Sequence, residues 1–348
     1  MKIGKRITGS FRDPSGFVFS CEGSILRQVN LSYKEHYDLL MNSGLYTSLV
    51  DSELLISHEE LSNEYRQSDD AYVVIRPDII PFVSYPYEWC FSQLKSAAQH
   101  TLEVQKRALS FGMSLKDCSG YNIQFKAGKP IFIDTLSFER YVEGEPWVAF
   151  RQFCQHYLAP LALMSFRDVR LNQLFRIHMD GIPLDLGSSL LPLRTWLSLS
   201  LVSLIHVHAR AQKYYAGKTV KVSGRRMSRK GLQGLLDQLQ DTVSNLKWEP
   251  KKSEWADYYI SSYSEDALEY KRKVVGEFLK IVDPKTVWDL GGNTGVLSRV
   301  SSDRRITTVS FDSDPSAVEE NYLQCITKKD EHLLPVLIDL INPSPCIG

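Results

Sequence analysis

The sequence lacks an excess of charge of either sign. Lysine and arginine together number 41, as do aspartate and glutamate, so the 348-residue chain has a formal net charge of zero. Proteins that bind nucleic acid through its phosphates need a surplus of basic residues, at least locally. We therefore expect no nucleic-acid partner. With 43% hydrophobic and 24% charged residues, the composition predicts a globular protein with room for about two domains.

Closely spaced cysteines are also missing. The six cysteines lie at positions 21, 90, 118, 154, 325 and 346, with no CxxC pair and no companion set of histidines. A structural zinc site or a disulfide framework needs such pairs. The sequence thus predicts reduced thiols, no metal site, and a cytoplasmic protein.

A long uninterrupted hydrophobic run is absent too. No apolar segment follows the partly basic residues 1–16, which disfavours a secretory signal. The most apolar stretch, 184–209, contains Asp185, His206 and His208, which a bilayer-spanning helix would have to bury. We expect a buried helix there and no membrane span. Because the two histidines are two positions apart, they should face different sides of that helix and make a poor metal pair.

Composition changes twice along the chain. Residues 1–213 begin with short β-rich runs and continue with helical patterns, which predicts an α+β domain. We expect a hairpin in GFVFSCEGSILRQV, a helix in SQLKSAAQHTLEVQKRALSFG that ends at Gly112, and a buried helix in WVAFRQFCQHYLAPLALMS broken near Pro160. Residues 214–255 are polar and locally basic and contain one helical pattern, as expected of a linker with a connecting helix. Residues 256–348 alternate helical and strand patterns, which predicts an α/β domain with a parallel sheet.

The most informative segment is a glycine-rich turn between a predicted strand, Thr286–Leu290, and a helix predicted to begin at Val296. Glycines let a ligand approach the backbone closely, and the start of a helix offers N–H groups. The next predicted strand ends in Asp312, where a carboxylate can accept hydrogen bonds from ribose hydroxyls. The segment therefore predicts a nucleotide-type site. Asp314 is expected to cap the helix that follows.

An acidic residue at the turn, Asp289, argues against a dinucleotide. A carboxylate repels a pyrophosphate and attracts a cationic ligand. The strings DLGGNTG and VSFDSDPSAVEENY resemble motifs I and II of the class I S-adenosylmethionine-dependent methyltransferases. This resemblance implies a Rossmann-like fold and S-adenosylmethionine as cofactor, whose sulfonium and amino groups are positive.

The resemblance also implies roles for individual residues. The methionine and ribose parts of the cofactor would lie against the turn, which comprises Asp289, Gly291, Gly292, Asn293 and Gly295. Asp312 would hold the ribose hydroxyls. Asp339, in LLPVLIDLINPSP, would meet the adenine, with a plain strand-end carboxylate as the alternative. No catalytic residue for methyl transfer is identified.

The methyltransferase domain is expected to be incomplete. From Glu265 to Gly348 there is room for about three β-α units, whereas a doubly wound domain ordinarily needs about five strands. We therefore predict a truncated domain that lacks the family's fourth motif.

A second constellation lies in LKDCSGYNIQFKAGKPIFIDTLSFE. Asp117 and Asn122 have the DxxxxN spacing of a kinase catalytic loop, and Asp134 ends a strand where a kinase holds its metal-binding aspartate. The segment resembles the kinase and phosphotransferase fold. The resemblance implies Asp117 as base, with Asn122 and Asp134 as magnesium ligands.

Several features depart from that family. Leu115 stands where kinases have histidine, no GxGxxG segment occurs near residues 9–27, and only Arg27 and Arg76 could stand in for the strand lysine. A hairpin whose aspartate and asparagine cap turns is the structural alternative.

Across residues 85–348, the strings DCSGYNIQF, FIDTLSFE and DLGGNTG are similar to the bacterial two-part methyltransferases related to nodulation proteins of the NoeA type. This resemblance implies methyl transfer to a small-molecule or saccharide acceptor that the sequence does not identify.

Two aromatic and polar sets remain. We expect Trp147, Arg151 and His156 to be packing or surface residues, although they could line a pocket. An aromatic cluster just before the second domain is expected to pack between domains rather than cover the cofactor; it comprises Trp255, Tyr258, Tyr259 and Tyr263.

Overall fold

The computed structural model describes residues 2–10, 13–215, 226–250 and 264–344 as a mixed α/β protein with several sheets and helices. The strands are β1 Lys5–Arg6, β2 Gly16–Cys21, β3 Ser24–Asn30, β4 His58–Leu61, β5 Ala71–Pro77, β6 Met113–Leu115, β7 Ile123–Lys126, β8 Lys129–Phe132, β9 Phe138–Arg140, β10 Thr286–Leu290, β11 Thr307–Asp312 and β12 Leu333–Leu337. The α-helices are α1 Lys34–Asn42, α2 Leu45–Asp51, α3 Phe91–Ser110, α4 Phe150–Phe153, α5 Ala159–Phe166, α6 Leu184–Leu190, α7 Leu199–Leu201, α8 Val207–Tyr215, α9 Arg229–Asn245, α10 Glu265–Val282, α11 Ser298–Ser302 and α12 Pro315–Lys328.

A five-stranded antiparallel sheet in the order β1-β2-β3-β5-β4 forms the first layer. The predicted hairpin is confirmed: β2 and β3 pair from Gly16↔Val29 to Cys21↔Ser24. Glu22 and Gly23 adopt positive φ between them, which matches the twist that a two-residue connection needs. Tyr37 of α1 packs with Val29 of β3 and Ile75 of β5 in one buried cluster, so α1 covers part of one face of this sheet.

Helix α3 lies at the centre of the main hydrophobic core. Its apolar residues recur at helical spacing, and Leu94, Ala98 and Leu102 are fully buried. The predicted end of this helix is confirmed, since Gly112 has φ +76 just beyond its last turn. Two short antiparallel pairs, β6 with β9 and β7 with β8, follow α3 in the chain.

The helices predicted after residue 147 are more broken than expected. The run from α4 to α5 is continuous but passes through a π-helical segment, Cys154–Leu158, just before Pro160. The expectation of one buried helix over 184–209 is wrong. That stretch forms α6, a 3-10 segment Leu193–Leu197, α7, a π-helical segment Val202–His206 and the start of α8.

Strands β10, β11 and β12 form a parallel sheet in consecutive order. The register pairs Leu290 with Phe311 and Asp312 with Leu337, so the carboxyl ends of all three strands meet at one edge. Strand β10 is at the border of this sheet, and its Trp288 is 64% exposed. The sequence-based expectation of parallel β-α units is confirmed for these strands.

The parallel sheet region packs directly on α3. The backbone N–H of Ser92 in the first turn of α3 donates to Glu319 Oε2 at 3.0 Å, and the Ser92 hydroxyl donates to the same carboxylate. Gln93 Nε2 donates to the carbonyl of Pro335 in β12 at 2.9 Å. Because Glu319 is 1% exposed, its charge is held against the positive end of the α3 dipole.

Among the described residues, none of the helices combines the length and hydropathy that crossing a bilayer requires. Five cysteines are buried free thiols in the part of the chain that the structure covers: Cys21, Cys90, Cys118, Cys154 and Cys325.

Candidate functional site

The glycine turn follows β10 and adopts a conformation that requires glycine. Gly291 and Gly295 have φ of +79 and +78, and Asn293 also lies in the left-handed region at +51. The helix after the turn begins at Ser298, two residues later than predicted, and extends only to Ser302. The turn is thus a loop that is held by its own internal hydrogen bonds. It is not the first turn of a long helix.

The backbone N–H groups of this turn donate within the protein. Those of Gly291 and Gly292 donate to the carbonyl of Phe311 at 2.8 and 2.9 Å. The N–H of Asn293 donates to Asp312 Oδ2 at 2.8 Å, and that of Thr294 to Asn293 Oδ1 at 2.7 Å. The expected set of free N–H donors at residues 291–295 is therefore not available to a ligand.

Two of the glycines are required by packing. A Cβ at Gly292 would lie 2.1 Å from Ser310 Oγ, and one at Gly295 would lie 2.3 Å from Asn321 Oδ1. A Cβ at Gly291 would instead meet no atom within 4 Å. Gly291 thus faces open space, where a ligand has room beside the backbone.

Carboxylates line the same edge of the sheet. Asp289 Oδ2 accepts a hydrogen bond from the Ser298 hydroxyl at 2.6 Å. Asp312 accepts through both oxygens, from the N–H of Asn293 and from that of Asp314 at 2.9 Å. Each oxygen of a carboxylate can accept two hydrogen bonds, so both groups keep accepting capacity.

The remaining predicted residues of this edge lie where the sequence placed them. Asp339 follows β12 and is exposed, and its Oδ1 accepts from the N–H of Ile341 at 2.9 Å. Asp314 caps α12 through the N–H of Ser316 at 2.8 Å, as predicted. With its N–H groups used and its carboxylates partly free, the edge suits a ligand that carries hydroxyl and cationic groups better than a phosphate.

Sequence reasoning missed the residues that hold the turn in place. Arg299 is 8% exposed, and its guanidinium donates to the carbonyl of Thr294 at 2.8 Å and to Asn321 Oδ1 at 2.9 Å. Its Nε has no hydrogen-bond partner. Nothing in the sequence alone distinguishes this arginine from a surface one.

A second candidate site is a cleft of about 750 Å³ beside the catalytic-loop-like segment. Its lining comes from four separate parts of the chain. The polar and charged residues are Tyr85, Lys116, Asp117, Ser119, Tyr121, Gln124, Arg151, Gln152, Gln155, His156 and Asp180.

Asp117 is the most perturbed carboxylate of the cleft. Burial raises its pKa, and hydrogen bonds partly oppose that shift. Its Oδ1 accepts from the N–H of Ser119 at 2.9 Å and from Gln152 Nε2 at 2.8 Å. Sequence reasoning missed Gln152, which lies far from Asp117 along the chain.

Asn122 and Asp134 lie near Asp117 and are joined through a serine. The Asn122 amide donates to Ser137 Oγ at 3.2 Å, and the Ser137 hydroxyl donates to Asp134 Oδ2 at 2.6 Å. Arg27 on β3 forms an ion pair with Asp134. A magnesium ion at Asp134 would therefore have to compete with a guanidinium.

Arg76, the other candidate for a strand lysine, is away from this centre. It forms an ion pair with Glu59 across the β4–β5 pair and is about half exposed. Within the described residues, no group of three or more histidine, cysteine, aspartate or glutamate side chains is placed to hold a metal ion.

In the 147–156 segment, Trp147 and His156 are buried and Arg151 is exposed, as expected of packing and surface residues, and two of the three also line the cleft. Arg151 and His156 line the cleft, whereas Trp147 is buried and donates from Nε1 to the carbonyl of Leu115 at 2.9 Å. Burial lowers the pKa of His156 to about 4, so its ring is neutral and its Nδ1 accepts from the N–H of Gly120 at 3.2 Å. The predicted aromatic cluster at 255, 258, 259 and 263 lies outside the described residues.

These observations define a mixed α/β protein with a glycine-turn site at the carboxyl edge of a parallel sheet and a separate acidic cleft. The nodulation protein NoeA of Rhizobium meliloti (strain 1021) is 32% identical to it over 352 residues, which cover 99% of this chain and 73% of that protein. The chain belongs to the NoeA family. No protein-family model matches it.

One solved structure, that of vaccinia related kinase 3, aligns with 71% of this chain and 81% of its own at 14% identity, with a TM-score of 0.32.

Proposed function

We propose that this protein transfers a methyl group from S-adenosylmethionine to an acceptor. The observation that supports the proposal is the arrangement at the carboxyl ends of β10 and β11, where Asp289, the open side of Gly291 and Asp312 lie together. In open α/β sheets, ligands bind outside the carboxyl ends of the strands. We accordingly interpret the three-stranded sheet as part of a Rossmann-like fold.

The charge of the edge supports this cofactor over a dinucleotide. Since the N–H groups of residues 291–295 are used internally, the turn cannot offer them to a pyrophosphate. Asp289 and Asp312 instead present negative charge and hydrogen-bond acceptors to a cation and to hydroxyl groups. The residues present therefore fit S-adenosylmethionine.

When bound, S-adenosylmethionine supplies an electrophilic methyl group. The role of the chain would be to bind and orient this group: Asp312 would accept hydrogen bonds from the ribose hydroxyls, Asp289 would face the positive methionine end, and Asp339 would contact the adenine. Asn293 fixes Asp312 through its N–H. Such orientation, with the reacting atoms in line, is the main source of rate in this kind of transfer.

The test is calorimetric titration of S-adenosylmethionine into the full chain and into the double variant Asp289→Ala/Asp312→Ala. We expect binding by the wild type and at least about a tenfold loss in the variant, because two acceptors of the cationic, hydroxyl-bearing ligand are removed. Asp303→Ala, at an exposed position after α11, is the matched control and should bind like the wild type. Absence of binding by the wild type, or equal binding by the double variant, would overturn the proposal.

A second candidate function is phosphoryl transfer by a kinase-like region. The observation that favours it is that Asp117 lines the cleft while Asn122 and Asp134, joined through Ser137, lie close enough to Asp117 to influence its pKa. In this candidate Asp117 is the base and Asn122 with Asp134 would hold magnesium. The ion pair between Arg27 and Asp134 weighs against it and makes it the less favoured one.

Titration with magnesium-ATP distinguishes the two candidates. If the cleft binds a magnesium-nucleotide, Asp117→Ala/Asp134→Ala should abolish the heat signal while S-adenosylmethionine binding persists. No signal from the wild-type protein would remove this candidate and leave the first one untouched.

In this proposal the methyl acceptor is a small molecule or a saccharide, and the protein acts in the cytoplasm. The name of the relative associates that protein with nodulation, and we extend the association to this chain as part of the proposal.

A further inference from the structure

An apolar loop projects from the helical part of the protein. In residues 192–199, here named the leucine loop, Leu193, Leu197 and Leu199 are 86%, 86% and 87% exposed. Water in contact with so much aliphatic surface is unfavourable, and such surface in a compact segment marks a site of contact. Neither proposed function uses this loop.

The leucines cannot turn inward because the polar side of the loop is fixed to the core. His206 is fully buried, and its ring nitrogens lie 2.7 Å from Ser188 Oγ and 3.0 Å from Thr195 Oγ1. The ring of Trp196 stacks on that of His206 at 4.1 Å and 12°. A threonine and a histidine thus lie inside while three leucines lie outside, the reverse of ordinary burial.

Basic side chains surround the leucine loop. Arg194 lies within it, Arg167 donates from Nε to the carbonyl of Leu190 at 2.6 Å, and the Arg210 guanidinium is 4.5 Å from the Trp196 ring centroid. All three are exposed. Between residues 182 and 211 the sequence has one acidic residue, Asp185. The rim of the apolar surface thus carries three exposed cations, and the acidic residues near them in sequence are Asp185 and Asp168, of which Asp168 is paired with Arg170.

We propose that the leucine loop inserts into the interface of an anionic lipid membrane. Leucine and tryptophan beside arginine are the residue types of segments that lie in the headgroup region, with apolar side chains among the acyl chains and cations at the phosphates. The contact is peripheral and requires no spanning helix.

Co-sedimentation of the full chain with vesicles tests the proposal. We expect binding to vesicles of phosphatidylcholine mixed with phosphatidylglycerol, and at least about a tenfold loss for Leu193→Ser/Leu197→Ser/Leu199→Ser, because three acyl-chain contacts are removed. The matched control is Ile3→Ser/Ile79→Ser/Ile177→Ser, which removes scattered side chains of 91%, 82% and 73% exposure and should bind like the wild type.

The charge requirement is tested separately. Arg194→Gln/Arg210→Gln should weaken binding to the mixed vesicles and make the remaining binding insensitive to salt. Because all substituted side chains are exposed, melting temperatures should stay within a few degrees of wild type.

Three results would overturn the proposal: no vesicle binding by the wild type, equal binding by the leucine variant, or binding that does not depend on phosphatidylglycerol. Sedimentation velocity without lipid tests whether the loop instead binds a second copy of the chain. Self-association of the wild type that the leucine variant loses would show that it does, and would also overturn the proposal.

Discussion

The glycine-turn site and the acidic cleft are built in opposite ways. The turn site takes its parts from one short stretch of chain and its neighbouring strand, and its N–H groups are used within that stretch. The cleft draws its lining from four distant segments, and its carboxylates depend on remote partners such as Gln152 and Arg27. The residues of a local site can be recognised in the sequence as a motif. Contacts between residues that are remote in sequence become visible only in the folded chain.

The two sites also use aspartate differently. Asp312 accepts hydrogen bonds from backbone N–H groups of its own loop, which leaves a charged acceptor at the sheet edge. Asp117 is buried, with a raised pKa, and Asp134 is neutralised by Arg27. This contrast is the physical reason why we propose the turn site, and not the cleft, as the place where a cofactor would bind.

Gly292→Ala should break the turn site most severely. The added Cβ would lie 2.1 Å from Ser310 Oγ, so the loop must shift and take Asp312 with it. We expect loss of S-adenosylmethionine binding and about 1–3 kcal/mol of lost stability, measured by calorimetry and urea unfolding.

The control is Gly234→Ala in the exposed middle of α9, where a Cβ meets nothing. It should stabilise by roughly 0.5–1 kcal/mol and leave binding unchanged. Equal effects of the two changes would show that the turn is not specially packed.

Glu319→Gln should weaken the contact between the two regions. The Glu319 carboxylate accepts from the N–H of Ser92 at the start of α3, and a neutral amide loses the interaction with the helix dipole. We expect about 1–2 kcal/mol of lost stability in thermal and urea unfolding. The exposed neighbour gives the control: Glu320→Gln should stay within about 0.5 kcal/mol of wild type.

The variant Arg27→Gln tests whether Asp134, near the cleft, can bind a magnesium ion. Removing the guanidinium frees the Asp134 carboxylate, so magnesium affinity should rise by about tenfold if Asp134 can hold the ion. Titration of this variant with magnesium measures the change in affinity. The control is Arg76→Gln, which alters only the exposed ion pair with Glu59 and should leave magnesium affinity unchanged. No gain for Arg27→Gln would speak against a metal site there.

The pH dependence of stability gives a further test of the cleft. Because burial lowers the pKa of His156 to about 4, the unfolded chain takes up a proton near its ordinary pKa of 6.5 before the folded chain does. Stability should therefore fall as pH drops from about 6.5 towards 4, by on the order of 1–2 kcal/mol between pH 7 and 5. Burial also lowers the pKa of His58 and of His100 to about 4, so these two histidines add to the same pH dependence. His156→Phe should remove only its own contribution and make that part of the curve less steep, and parallel curves for variant and wild type would contradict the assignment.

Much of the second region was predictable from the sequence. Strand β10, the turn, strand β11 ending in Asp312 and the Asp314 cap lie where periodicity and glycine placement put them. The hairpin β2–β3 and the end of α3 near Gly112 were predictable for the same reason. These features depend on interactions between residues close in sequence, which local propensity and spacing express.

Other features were not predictable in this way. The stretch 184–209 has the composition of a buried helix, yet His206 fixes a turn that leaves three leucines outside. The free N–H groups expected at the turn are taken by Phe311 and Asp312. Each outcome depends on a partner that only the packed chain brings within hydrogen-bond distance.

By itself, the sequence determined the acidic character of the turn, the positions of its glycines and the order of the strands around it, because backbone conformation and local spacing follow from neighbouring residues. The tertiary structure alone decided that Arg299 and Asn321 lock the turn, that Arg27 neutralises Asp134, and that Arg151 and His156 line the cleft. Those contacts join residues that are far apart in the chain. Burial and distance in the folded state, rather than residue type, determine the charge and the hydrogen bonding of these side chains.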